Sequence, residues 1–113
     1  MKYHGSCHCQ SVQFEIESDL EKVIQCNCSI CIRRNAKMIM VPKENFKLIE
    51  GLEDLSLYQF NTDIAKHFFC KKCGIYTHHN RKSDPNGMGV NLGCIEDVDS
   101  MEFKTIIFDG KKL

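Results

Sequence analysis

"GSCHCQSVQFEIE", residues 5–17, sets two cysteines one residue apart just ahead of an alternation in which Val12, Phe14 and Ile16 face one way and Gln13, Glu15 and Glu17 the other. Period-two alternation is the pattern of a half-buried strand. Side chains two apart on a strand share a face, so Cys7 and Cys9 present both sulfurs in one direction, and a turn just after them lets the pair converge on a single ion. The stretch therefore predicts a β element that carries half of a chelate.

The same character recurs along the chain, in "MIMV" at 38–41, "FKLI" at 46–49, "LSLYQF" at 55–60, "AKHFF" at 65–69, "MGVNL" at 88–92 and "FKTIIF" at 103–108. These short runs predict a mainly β protein with little helix. One brief helix is expected over "SICIRR", 29–34, with Ser29 capping a turn that follows Cys28. "SDPNG" at 83–87 has the composition of a turn. No repeat, linker or low-complexity tract divides the chain, and its 113 residues fit a single domain over 1–113.

Fifteen basic residues stand against fifteen acidic ones, so the basic stripe of a nucleic-acid or anionic-membrane binder is missing. "MKYHGSCHC" lacks the apolar centre of a signal peptide, and no run of eighteen apolar residues occurs. The expectation is a cytoplasmic protein with no nucleic-acid or membrane partner. In that reducing compartment eight cysteines suit metal thiolates better than four disulfides.

The cysteines fall as CxC (Cys7, Cys9), CxCxxC (Cys26, Cys28, Cys31), CxxCG (Cys70, Cys73) and a single Cys94. "CKKCG" at 70–74 reads as a knuckle: a strand ends at Cys70, two turn residues follow, and Gly74 supplies the backbone angles that aim amides at thiolates. With Cys7 and Cys9 it makes four thiolates, the closed tetrahedral set of structural zinc, closing a long loop. The triplet offers three thiolates and leaves a fourth position for water or substrate, as metal catalysis requires. Cys94 has three readings: a fourth ligand that closes the triplet, a reactive thiol beside it, or a buried apolar residue.

"GSCHCQSVQFE", "CNCSICIRR" and "FFCKKCGIYTHHNRKSDPNGMGVNLGC", in this order over about residues 3–98, resemble the glutathione-dependent formaldehyde-activating enzyme family, which also includes centromere protein V. The resemblance implies a β-tent of coiled antiparallel sheets with two zinc ions per chain. It gives Cys7, Cys9, Cys70 and Cys73 to a structural zinc, and Cys26, Cys28 and Cys31 to a catalytic one. It also implies addition of glutathione to formaldehyde, giving S-hydroxymethylglutathione, a reaction described in reverse as that of a carbon–sulfur lyase. Gln10 stands where that family usually has glycine after CHC, and Asn35 where glycine often follows the arginines.

Three thiolates on zinc leave a net charge of about −1, which suits the ion less to making hydroxide than to holding a substrate thiol as thiolate. Proton delivery to the new hydroxyl is expected from His8, His78, His79 or water. His8, between two ligands, points away from the metal and reads as structural; of the consecutive His78 and His79, at most one lines a pocket. His4 and His67 carry no motif. Arg33 and Arg34 have two readings, as guanidinium partners of an anionic thiol such as glutathione, or as a solvated turn or charges that balance the thiolates. Arg81 and Lys82 read as solvent-facing, Met38 and Met40 as core filling, and Phe68 or Phe69 as packing under the structural zinc. Two rival functions remain: a binding module with both zincs structural and Cys94 as the extra ligand, and a redox-sensitive zinc store.

Overall fold

The computed structural model describes residues 1–60, 65–80 and 86–112. In chain order its strands are β1 (Lys2–Ser6), β2 (Gln13–Glu17), β3 (Val23–Cys26), β4 (Met38–Pro42), β5 (Phe46–Glu50), β6 (Leu55–Tyr58), β7 (Lys66–Cys70), β8 (Tyr76–Asn80), β9 (Gly87–Asn91) and β10 (Ile106–Phe108), with one α-helix, α1 (Ser29–Arg34), between β3 and β4. They form two sheets, β1-β2-β5 and β10-β3-β4-β9-β8-β7-β6. Every pairing is antiparallel except that of β10 with β3. The mainly β architecture with little helix is the one the sequence predicts.

Val12, Phe14 and Ile16 are almost wholly buried, as their alternation requires. Phe14 and Ile16 from the smaller sheet join Val23, Ile39, Val41, Met88, Val90 and Leu92 from the larger sheet and its connections in one apolar cluster. Each such side chain contributes about 1.5–3 kcal/mol by leaving water. Gly5 pairs with Phe14, and a side chain at Gly5 would strike the Phe14 ring.

Pairing across the large sheet decides which residues share a face. Phe68 pairs with His78, His78 with Val90, and Ile39 with Val90 and Val23, which sets this row on the core face. The neighbouring row, His67–His79–Gly89–Met40, therefore lies on the opposite face. Met38 and Met40 belong to that second face, where Met38 is buried as expected and Met40 is half-buried, while Ile39 and Val41 join the apolar cluster. An unbroken apolar run such as "MIMV" carries no alternation from which to assign its faces.

Other expectations need correction. Cys7 and Cys9 do not share a strand: β1 stops at Ser6, and the two thiols lie in the turn to β2, closed by Gln10 N–H on Cys7 O at 3.1 Å and Cys7 N–H on Val12 O at 3.1 Å. A turn lets both sulfurs point inward, which an extended CxC cannot do as tightly. Cys28, not Ser29, caps α1, through its carbonyl and without a side-chain bond. The last apolar run pairs only over Ile106–Phe108, and a 3-10 turn capped by the Asp99 side chain precedes it at Ser100–Glu102. Arg81, Lys82 and residues 83–85 of the "SDPNG" turn lie outside the described residues.

Candidate metal and active site

Two turns, one from each sheet, bring the first four thiols together. Cys7 and Cys9 come from the β1–β2 turn; Cys70 ends β7 and Cys73 follows in its knuckle, where Gly74 adopts φ 77° and donates its N–H to Cys70 O at 2.7 Å. All four sulfurs lie within 4.8 Å of one another. The Cys7–Cys9 and Cys9–Cys70 separations are both 3.7 Å. Zinc bound to sulfur at 2.3 Å gives tetrahedral edges of about 3.8 Å, whereas a disulfide needs about 2.05 Å. The spacing therefore fits a metal, and an ion here would tie the two sheets together.

The amides are aimed accordingly. Val12 N–H points at Cys7 Sγ at 3.4 Å. Side-chain and backbone donors of Ser11 bring the Cys9 thiol down to about 6. Burial works against the Cys73 thiolate, but N–H groups of Cys9 and Ile75 outweigh it and lower its pKa. Burial pushes Cys70 up to about 11. Thiols this close cannot all ionise unless a cation takes the place of their protons. Val12, Leu48 and Leu55 pack around this group, not Phe68 or Phe69. Phe68 instead stacks on His78, on the core face.

Cys26, Cys28 and Cys31 form the second group, again within 4.8 Å of one another. Cys26 ends β3, Cys28 precedes α1, and Cys31 lies in the helix, so a single strand-to-helix turn delivers all three. Cys28 N–H approaches Cys26 Sγ at 3.5 Å. Burial opposes ionisation of Cys28, yet N–H groups of Cys31 and Ile30 bring its pKa below the ordinary thiol value. Burial pushes Cys31 up to about 12, against the pull of Arg34. Three soft sulfur donors fit zinc, and Cys94 belongs to neither group.

Cys94 sits in the apolar cluster with its Sγ on Tyr76 O at 3.6 Å, and burial raises its pKa to about 12. It is the buried apolar residue of the three readings.

Arg34 separates from Arg33. Arg33 is exposed and donates to Ser29 O at 2.7 Å. Arg34 turns inward: Nη2 donates to Cys31 Sγ at 3.2 Å, Nη1 lies 3.1 Å from His67 Nδ1, and the guanidinium carbon stands 3.8 Å from the centre of the Tyr76 ring. Of the two arginine readings, the balancing charge is the one this geometry fits. Burial and then the Arg34 charge lower His67 to about 4, so its ring is neutral at pH 7 and accepts from Arg34. His67 stacks between Phe60 and His79, and Tyr76 O–H meets His79 Nδ1 at 2.5 Å.

Both consecutive histidines are buried, which the sequence did not foresee. His79 lies on the face towards Arg34, and Gly89 opposite it leaves the room that its ring fills. His78 lies on the core face among Phe14, Phe46 and Phe68, and burial lowers it to about 4. His8 is exposed in the β1–β2 turn.

Residues 108–111 lie beside the triplet. Phe108 pairs with Cys26, and Asn27 N–H donates to Phe108 O at 3.2 Å. The Asn27 side chain donates to Asp109 Oδ1 at 3.0 Å and accepts from Lys111 N–H at 3.1 Å. Gly110 is buried so close to Cys26 Sγ that a side chain would collide with it. His67, Tyr76, Asn27 and Gly110 carry no local signal; only the strand register reveals them.

A mostly β chain with two thiol clusters, one joining its two sheets and one at a strand-to-helix turn, has the form of a metal-binding thiol protein. The profile of the family described as glutathione-dependent formaldehyde-activating enzyme matches residues 2–110, and the chain belongs to that family. Among solved structures it is similar to a crystal structure of a Rhodobacter sphaeroides protein, with 40% identity, a TM-score of 0.87, and coverage of 95% of this chain and 98% of that one. Among the described residues no helix is long and apolar enough to cross a membrane.

Proposed function

We propose that this chain is a zinc-dependent enzyme of the cytoplasm that joins a thiol to an aldehyde, converting glutathione and formaldehyde into S-hydroxymethylglutathione, with carbon–sulfur cleavage as the reverse reaction. Cys26, Cys28 and Cys31 hold the catalytic zinc; Cys7, Cys9, Cys70 and Cys73 hold a structural one, giving two per chain. The observation that carries this reading is that the triplet gathers three donors while Cys94 is committed elsewhere. That leaves a coordination position for substrate and disfavours a closed structural site.

The catalytic zinc would supply positive charge that favours the thiolate form of a substrate thiol at neutral pH. The thiol proton passes to water, the sulfur electron pair forms the bond to carbon, and the carbonyl pair moves to oxygen. That oxygen takes its proton from water, because His78 is enclosed by phenylalanine rings and His79 is bonded to Tyr76. The protein's contribution is to bring thiol and aldehyde together and to stabilise the thiolate.

Two-dimensional exchange spectroscopy on glutathione and formaldehyde tests this. Wild-type protein is expected to raise the exchange rate above the spontaneous reaction, and Cys28→Ser to abolish the increase. No acceleration at high concentration of zinc-loaded protein would overturn the assignment.

A further inference from the structure

Among the described residues, Arg34 is a cation in contact with the triplet that the thiol-capturing reading does not use. We propose that Arg34 is a positioning residue, a fixed internal counter-charge that sets the metal affinity of the three-thiol site through Cys31, and that His67 and Tyr76 hold its guanidinium in place. The inference rests on the reading that the triplet binds zinc.

Cys31 is the most buried of the three thiols, and a buried thiolate needs a partner charge. Arg34 Nη2 is at hydrogen-bond distance from its sulfur, 3.2 Å. The guanidinium is fixed on three sides: by Cys31, by the neutral His67 ring at 3.1 Å, and by the Tyr76 ring beneath its plane. Tyr76 is fixed in turn by its hydroxyl on His79 and on Met38 Sδ. The bulge between Phe68 and Phe69 in the β7–β8 register puts Tyr76 on the side of His79.

Among the described residues the buried Arg34 Nε has no hydrogen-bond partner. A surface arginine would turn that donor to water, so the side chain is held against its own hydrogen-bonding interest. Nη1 and Nη2 each direct an N–H into the protein, towards His67 and Cys31, which is the arrangement of an internal counter-charge. Three thiolates and a divalent ion sum to −1, and Arg34 brings the cluster to zero. A planar fork that donates in two directions while stacking on a ring is specific to arginine; lysine offers only the charge.

The test compares wild-type, Arg34→Met, Arg34→Lys and His67→Phe proteins loaded with zinc, then with cobalt. Zinc affinity at each site is measured by competition with a chromophoric chelator, and the sulfur-to-cobalt charge-transfer band is recorded. Arg34→Met is expected to weaken the triplet about 10- to 100-fold, the range of one charge-assisted hydrogen bond. The four-thiol site keeps its affinity and serves as the folding control. Arg34→Lys falls between Arg34→Met and wild type; His67→Phe, which keeps the charge but frees the guanidinium, gives a smaller loss. The charge-transfer band moves to lower energy in Arg34→Met, because its thiolate no longer shares electron density with an N–H. Equal triplet affinity in wild type and Arg34→Met, with an unmoved band, overturns the inference while leaving the enzyme reading intact. A wild-type protein that loads only the four-thiol site overturns both.

Discussion

His78 gives the fold a measurable acid sensitivity. Its imidazole is enclosed by Phe46 at 4.5 Å, Phe68 at 4.8 Å and Phe14 at 6.2 Å between ring centres, and burial lowers its pKa from 6.5 to about 4. A basic group whose folded pKa is depressed binds more protons when unfolded, so its stability contribution is full above pH 6.5 and is lost as pH falls towards 4. Integrating between those values gives about 2 kcal/mol lost by pH 5 and about 3 kcal/mol in full. His78→Phe keeps the aromatic packing and removes the proton site. It loses the bond between Thr77 Oγ1 and His78 Nδ1 at 2.9 Å, a deficit of about 1 kcal/mol that does not vary with pH. Thermal unfolding of both proteins, followed by circular dichroism in zinc-containing buffer at pH 7.5 and pH 5, isolates the term, since all other titrations are common to both. The wild-type Tm should fall by about 8 °C more than that of the variant, at about 4 °C per kcal/mol. Parallel decline of the two proteins would refute the burial account of His78.

Gly110→Ala forces a methyl group onto Cys26 Sγ and should weaken zinc at the triplet at least tenfold while the four-thiol ion stays, as read by chelator competition. Gln10 adopts φ 67°, a left-handed conformation that costs a residue with a Cβ about 1–2 kcal/mol. Against the extra freedom of an unfolded glycine, Gln10→Gly should raise stability by about 0.5–1 kcal/mol, a Tm increase of about 2–4 °C. Cys94→Ala should keep both metal ions and lose about 1–2 kcal/mol in denaturant unfolding, as expected of a packing thiol.

What the sequence revealed, and what it withheld, follows the range of each interaction. Val12, Phe14 and Ile16 declare their strand because alternation is local, and "CKKCG" declares its knuckle because five residues contain the whole turn. "SICIRR" yields α1 with its bounds intact. Gln10 and Asn35, noted as replacing glycines, both prove to have positive φ, at 67° and 51°, which explains why glycine suits those turns. The CxC lies in a turn, not on the predicted strand, because two-residue spacing fits an extended segment and a tight turn equally. The Arg34–His67–Tyr76 arrangement depends on a strand pairing and a bulge some forty residues downstream of Arg34, beyond any local pattern. The Asn27–Asp109 clamp likewise depends on β10 running parallel to β3, a long-range pairing that a three-residue strand does not announce.

The central claim is that seven cysteines make two metal sites of different character, and counting ions by native mass spectrometry tests it most directly. Wild-type protein should carry two zinc ions. Cys28→Ser should carry one and keep its circular dichroism spectrum, because the ion that ties the two sheets remains. A wild-type protein without zinc, or a Cys28→Ser variant that still carries two ions or unfolds, would contradict the account.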